Sequence, residues 1–197
     1  MARTDLNPAL RIISGNLAGY VFRQQADGSI RIAKIPKRNP DRPRPAGQAA
    51  QIERFKRASV YGQHVMREDP DTLALYQQVR AKRGPMARLR GIIVGDMLKA
   101  PEITGVDVSQ YHGAVGDVIA VKAEDNMAVA RVTATIRDET NAQVIETLEY
   151  VAPADQLAAT VLCVFKATAA VPAGHSVAVE ADAYDLAGNK CQLIQPA

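Results

Sequence analysis

Residues 128–138 read AVARVTATIRD, and this stretch decides the fold class. Apolar side chains at positions 130, 132, 134 and 136 alternate with Arg or Thr at the positions between them. A period of two sends neighbouring side chains to opposite faces of a β-strand. We therefore predict a strand with one face on a core and the other in water.

The residues from Pro101 onward keep this pattern, with turn residues roughly every eight to twelve positions, as in β-sandwiches. Residues 118–121 are apolar throughout and predict a more central strand, while residues 138–141 and 185–189 have tight-turn chemistry. We predict strands at 103–108, 118–123, 128–136, 144–150, 160–167, 177–183 and 191–194.

Two segments of this region carry a resemblance. VGDVIAVKAEDNMAVARVTATIRD at 115–138 and DAYDLAGNK at 182–190 resemble bacterial immunoglobulin-like and cadherin-like β-sandwich modules. The resemblance implies an immunoglobulin-like β-sandwich over residues 101–197.

The N-terminal part carries a second resemblance. ISGNLAGYVFRQQADGSIRIAKIPKRNPDRP at 13–43, followed by QIERFKRA at 51–58, resembles the opening of an uncharacterised bacterial family with an arm, helices and a sandwich. Because sandwich modules host many unrelated functions, this resemblance implies a modular plan and no chemistry.

Residues 46–100 predict two to three short helices. Ile52 and Phe55 begin an apolar stripe at helical spacing. A second helix is capped by Asp69 and ended by Gly84. Residues 86–97 predict a third helix. The residues at 92–94 are β-branched and favour strands, so a strand is the alternative for this segment.

Residues 1–45 predict an arm. Residues 17–23 and 29–35 have the pattern of a β-hairpin, which is too small to be stable without another surface. Residues 36–47, PKRNPDRPRPAG, form a basic proline-rich strap that is neither helix nor central strand. The whole chain is thus expected to be α+β and mainly β.

The formal charge of +3 conceals an asymmetry between the two halves of the chain. Residues 1–100 hold 19 Lys and Arg against 8 Asp and Glu, while residues 101–197 hold 5 against 13. Such a contrast indicates an interaction surface. It fits either head-to-tail association of copies or binding of a polyanion by the basic half.

Chemistry-bearing motifs are few. His64, His112 and His175 lie in separate segments, and HExxH, GxSxG and phosphate-binding glycine motifs are missing from the sequence. We therefore expect no enzyme and no cofactor. Cys163 and Cys191 predict buried free thiols, with a single disulfide left open.

Calcium is the sharpest metal hypothesis, because two groups of acidic and amide residues resemble the loop carboxylates that cadherin-like modules use, and calcium prefers oxygen ligands. The same side chains also make Asx turns, and a DxDxDG loop is missing from the sequence, so we assign no metal site. The residues concerned are Glu124, Asp125, Asn126, Asp182, Asp185 and Asn189.

No apolar run approaches the roughly 20 residues that span a bilayer, so membrane insertion is not expected. The first 20 residues do not have the pattern of an export signal. We expect cytoplasmic synthesis, with release without a leader or assembly on a surface left open.

These features favour a structural protein that self-assembles into a homo-oligomer or polymer. The arm adds its strands to a neighbour's sheet edge by β-augmentation, while the basic strap lies on the acidic sandwich. Docking of the arm within its own chain stays open, as does nucleic-acid or other polyanion binding by the basic half. The predicted basic contacts are Arg23, Arg31, Lys34, Lys37, Arg38, Arg42 and Arg44, and the acidic ones are Glu124, Asp125, Asp138, Glu139, Glu146 and Glu149.

Changing Arg38, Arg42 and Arg44 together to Glu is expected to weaken self-association at low salt, because it replaces attraction to the acidic half by repulsion. Light scattering of nucleic-acid-free protein measures the change. The matched control changes the same three residues to Lys and retains association. Equal association of both variants would reject the role of the strap.

Overall fold

The computed structural model describes residues 15–25, 29–35, 45–84 and 86–197. The chain divides into two compact units, Met1–Pro45 and Ala46–Ala197. Each unit is described by itself below. Within the described part of the chain, no helix combines the length and the apolar character needed to cross a membrane.

The first unit contains a three-stranded antiparallel sheet in the order β1–β2–β3. Strand β1 is Gly15–Leu17, β2 is Tyr20–Gln24 and β3 is Ile30–Lys34. The predicted hairpin is present as β2 and β3, and β1 is an addition to it. Ala18 and Gly19 both have positive φ, so a tight turn joins β1 to β2. Most of the predicted strap, residues 36–44, lies outside the described residues.

Three helices begin the second unit. Helix α1 is Ala46–Glu68, α2 is Pro70–Arg83 and α3 is Leu89–Leu98. The Thr72 N–H donates to the Asp69 carboxylate at 3.0 Å, so the predicted cap of α2 is present. The third element is a helix and not a strand. Its β-branched residues are buried because they pack against the neighbouring helices.

Six antiparallel strands follow the helices and form one sheet. A short 3-10 turn, Ala154–Gln156, precedes the fourth of them. The strands are β4 Glu102–Asp107, β5 Val118–Asp138, β6 Gln143–Val151, β7 Ala158–Lys166, β8 Val177–Asp185 and β9 Lys190–Pro196.

Strand β5 organises this sheet, and it corrects the sequence prediction. Two separate strands were expected at 118–123 and 128–136, whereas β5 is one strand of 21 residues. Its first half pairs with β4 and β7, its second half pairs with β6 and β8, and the register shifts between Glu124 and Val129. Because β5 runs through this bend without a break, both halves belong to one sheet that curls into a half-barrel. The mainly β, α+β class is confirmed, and an immunoglobulin-like sandwich is not.

The inner face of the curled sheet carries the main core. Val132, Ala134 and Ile136 are fully buried in it, as the alternation predicts. Ile119 and Val121 of the first half of β5 join the same core. Cys163 and Cys191 are both free thiols, but Cys163 alone of the two is buried, and Cys191 is half-buried. Burial raises the pKa of Cys163 to about 11.

The three helices pack on a second, smaller core at the bend of β5. Val65, Tyr76 and Ile93 of the helices share this core with Ala128 of β5 and with Leu157. The helices therefore cover the bend, which positions the site described below.

Gly62 allows helices α1 and α3 to approach each other. A Cβ built on Gly62 lies 3.2 Å from the Val94 Cγ2. Replacing Gly62 by Leu is expected to destabilise the protein by about 1–3 kcal/mol through overpacking, measured by chemical denaturation. Gly47 lies in the same helix with no atom within 4 Å of such a Cβ, so Gly47→Leu is the control that leaves stability nearly unchanged. Equal effects of the two changes would contradict close packing at Gly62.

Candidate metal centre

Three buried aspartates converge where the helices meet the sheet. Asp96 comes from α3, Asp125 from the bend of β5 and Asp185 from the end of β8. One oxygen of each lies within 4.8 Å of the other two. The three residues are 0%, 8% and 4% exposed, in that order. Charged groups are seldom buried this deeply without a partner of opposite charge.

Local structure places each carboxyl group. Asp96 follows Ile92 and Ile93 by four and three residues, so the apolar stripe that buries α3 carries Asp96 inward with it. In the bend of β5, the backbone N–H groups of Met127 and Ala128 donate to the Asp125 Oδ2 at 2.5 and 3.0 Å.

Asp185 is held by the turn that follows β8. The Asn189 backbone N–H donates to its Oδ1 at 2.7 Å, and the Asn189 side-chain amide donates to its Oδ2 at 2.6 Å. Both oxygens of this carboxylate are therefore engaged by one residue, which fixes the orientation of the side chain.

The Asp96 carboxylate has one satisfied and one unsatisfied oxygen. Its Oδ2 accepts hydrogen bonds from the Tyr76 hydroxyl at 2.6 Å and from the Ala187 N–H at 2.9 Å. Its Oδ1 is buried and accepts no hydrogen bond from the described residues, and the same is true of the Asp125 Oδ1 and the Asn126 Oδ1. Buried oxygens without a donor are rare in native proteins, so each of these atoms requires an explanation.

The electrostatics of the cluster disfavour three negative charges. Burial raises the pKa of Asp96 to about 7, and the charges of Asp185 and Asp125 add to this effect. The hydrogen bond from Tyr76 opposes the rise in the Asp96 pKa. Burial also raises the pKa of Asp185 to about 6. Neutralising this cluster requires either bound protons or a cation.

Amide groups around the cluster join the helices to the sheet. The Asn189 side chain donates to the Asp96 carbonyl at 3.0 Å, and the Asn126 side chain donates to the Gly95 carbonyl at 3.1 Å. The Tyr61 hydroxyl donates to the Leu186 carbonyl at 3.4 Å. The last turn of α3 is thus tied to the bend of β5 and to the turn that follows β8.

The sequence pointed to part of this cluster. Of the residues considered for calcium, Asp125 and Asp185 lie in it, Asn189 donates to Asp185, and Asn126 donates to the Gly95 carbonyl beside Asp96. Two others lie apart from it in ion pairs, with Glu124 bonded to Lys122 at 3.0 Å and Asp182 to Lys190 at 2.9 Å.

Asp96 was missed because it lies in a helix far from these loops in the sequence. Its position on the apolar stripe of α3 was the signal available, since a charged residue on a buried helix face requires a partner.

The predicted partner contacts are distributed as follows. Arg23, Arg31 and Lys34 are exposed on the arm, whereas Lys37, Arg38, Arg42 and Arg44 lie outside the described residues. Asp125 belongs to the buried cluster, and Asp138 is 1% exposed and bonded to the His175 Nδ1 at 2.6 Å. Glu149 is exposed and pairs with Arg131, Glu146 accepts from the Thr168 N–H, and Glu139 is exposed.

Two of the histidines, His112 and His175, line one cavity of about 400 Å³, together with Tyr111. The hydrogen bond between His175 and the Asp138 carboxylate lowers the pKa of Asp138. Thr140 lies beside this Asp–His pair, and its backbone N–H donates to the Asp138 Oδ1 at 2.9 Å.

Comparison with known proteins found no match to this chain, either among protein-family models or among curated proteins. The resemblances noted in the sequence stay predictions.

Tyr76→Phe is expected to lower the free energy of unfolding by about 1–3 kcal/mol, because it removes a buried hydrogen bond to the Asp96 carboxylate. Chemical denaturation measures the loss. Tyr111→Phe is the control, since the buried Tyr111 hydroxyl has no hydrogen-bond partner among the described residues and its removal is expected to cost less. If Tyr76→Phe loses no more stability than the control, the hydrogen bond to Asp96 makes no measurable contribution to the free energy of unfolding.

Proposed function

We propose that this chain is a non-enzymatic structural protein that assembles head to tail with further copies of itself. The observation that carries the proposal is the incomplete core of the arm. None of the described side chains of the first unit is buried, although the unit contains a three-stranded sheet.

The arm requires an apolar surface to cover it. Ile32 is 57% exposed and Tyr20 is 45% exposed, and Phe22 stands opposite Ile32 on the neighbouring strand. Small sheets are stable only when an apolar face packs on something else. Strand β3 is also an edge of the described sheet, so its backbone groups are available to another strand.

Strand β7 of a second copy is the acceptor we propose. Among the described strands, β7 pairs only with β5, so its other edge offers backbone donors and acceptors. Leu162 and Val164 lie two residues apart on its outer face and are 65% and 60% exposed. An open edge beside apolar side chains is the surface that β-augmentation uses.

Charge complementarity selects another copy of this chain as the occupant. Arg23, Arg31 and Lys34 are exposed on the strands of the arm. Residues 101–197, which include β7, hold 13 acidic against 5 basic residues. Opposite net charges on the two halves of the chain favour a head-to-tail contact between copies, which closes into a ring or continues as a filament.

We further propose that the curled sheet is related to immunoglobulin-like sandwiches. One half pairs β4 and β7 with β5, and the other half pairs β6 and β8 with β5 and adds β9 beside β8. This division resembles the two strand groups of such a sandwich, with the bend of β5 in place of the loop that joins them.

Polyanion binding is the second candidate. Arg57, Arg67, Arg88 and Arg90 are exposed on or beside the helices and make no ion pair with the described residues. Unpaired cations on helices are the electrostatic footprint of nucleic-acid binding.

Leu162→Glu is expected to weaken self-association at low salt by about tenfold or more, because it places a charge in the proposed contact. Sedimentation velocity of nucleic-acid-free protein measures the change. Val60→Glu is the control, since Val60 is similarly exposed but lies on α1.

Wild-type protein that stays monomeric at low salt, or association that is equal in the two variants, would overturn the proposed contact. A size increase that occurs only when nucleic acid is added, and that salt reverses, would favour polyanion binding instead.

A further inference from the structure

We propose that Asp96, Asp125 and Asp185 bind one calcium ion, with the Asn126 side-chain oxygen as a fourth protein ligand. This inference does not depend on self-assembly, since all four residues lie within the second unit.

The spacing of the cluster fits calcium. Ca²⁺ binds oxygen at roughly 2.3–2.6 Å, so two ligands of one ion stand at most about 5 Å apart. The oxygens offered by the three aspartates lie within 4.8 Å of one another. This separation is close to the one that a single ion bound to all three carboxylates requires.

The buried oxygens that lack hydrogen-bond donors support cation binding. In both Asp96 and Asp125, protein donors hold Oδ2, while Oδ1 is buried and has no donor among the described residues. The Asn126 Oδ1 is in the same state, and its amide nitrogen is fixed on the carbonyl beside Asp96. One half of each polar group is therefore held rigidly, and the other half is left as an acceptor. A cation satisfies acceptors of this kind without any donor.

The donor set selects calcium among the common metals. All the proposed ligands are oxygen atoms, and the cluster has no His or Cys, which zinc and copper prefer. Mg²⁺ requires a near-octahedral shell and usually keeps several waters, whereas Ca²⁺ accepts irregular shells of carboxylate and amide oxygens. A buried cluster of three carboxylates suits the larger ion.

Binding would couple the helices to the sheet. The ligands come from α3, from the bend of β5 and from the end of β8, so one ion joins three elements. Removing the ion leaves carboxylates facing each other across this seam. We therefore expect calcium to protect α3 from proteolysis.

The test uses the intact chain after treatment with a chelator. Calorimetric titration is expected to show one calcium ion per chain. Calcium at a hundred times its dissociation constant is expected to raise Tm by roughly 5–10 °C. Asp96→Asn is expected to abolish both responses. Asp138→Asn is the matched control, because Asp138 is equally buried but lies outside the cluster, and it keeps the calcium response.

The behaviour in chelator separates a ligand from a merely structural residue. Without calcium, Asp96→Asn removes an acidic group crowded against two others, so it is expected to unfold at a Tm equal to or above that of the wild type. With calcium, the wild type is expected to have the higher Tm of the two, because Asp96→Asn does not respond to calcium. If Asp96→Asn does not fold, Asp125→Asn replaces it, since the Asn oxygen still accepts the two backbone bonds.

Terbium luminescence gives an independent readout. Terbium occupies calcium sites and emits when a nearby aromatic residue transfers excitation to it. The chain has no Trp, and the Tyr76 hydroxyl lies 2.6 Å from the Asp96 Oδ2, so emission excited through tyrosine is expected. Tyr76→Phe reduces the emission, and calcium displaces the terbium.

Three results would each overturn the proposal. They are wild-type protein that binds no calcium, a calcium response that survives in Asp96→Asn, and a Tm shift by Mg²⁺ as large as that by Ca²⁺ at equal concentration. The first of these would assign neutralisation of the cluster to protons.

Discussion

The continuous pairing of β5 is the constraint on which the second unit depends. This strand hydrogen-bonds to four others, and its bend turns the two halves toward one core. The same bend contains the backbone N–H groups that donate to the Asp125 carboxylate, and Ala128 in this bend packs against the helices. The curl of the sheet, the docking of the helices and the position of the carboxylate cluster thus have a common cause.

The helices are joined to the sheet by polar groups as well as by apolar packing. Apolar contacts supply most of the stabilisation at such a seam, because burial of apolar area is non-directional and large. The bonds of Asp96 to Tyr76 and Ala187 define instead how α3 is oriented.

The two units differ in how well their side chains are buried. The second unit has its own cores, whereas the described part of the arm buries none of its side chains. An element of this kind gains stability only from a surface outside its own sheet. The proposed assembly through the arm and the proposed cation site in the second unit therefore concern separate parts of the chain. One concerns association between copies, and the other concerns the internal seam.

The sequence by itself determined the local structure. Alternation specified the strand and its buried face at 132–136, whereas Ala130 is only half-buried because the register shifts between Val129 and Arg131. The cap at Asp69 specified the start of α2, because this pattern also depends on near neighbours. Charge asymmetry and the loop acids Asp125 and Asp185 were also visible. Only the tertiary structure decided that β5 is continuous through its bend and that Asp96 meets the other two acids. These features depend on contacts between residues far apart in the chain, and short-range periodicity does not record such contacts.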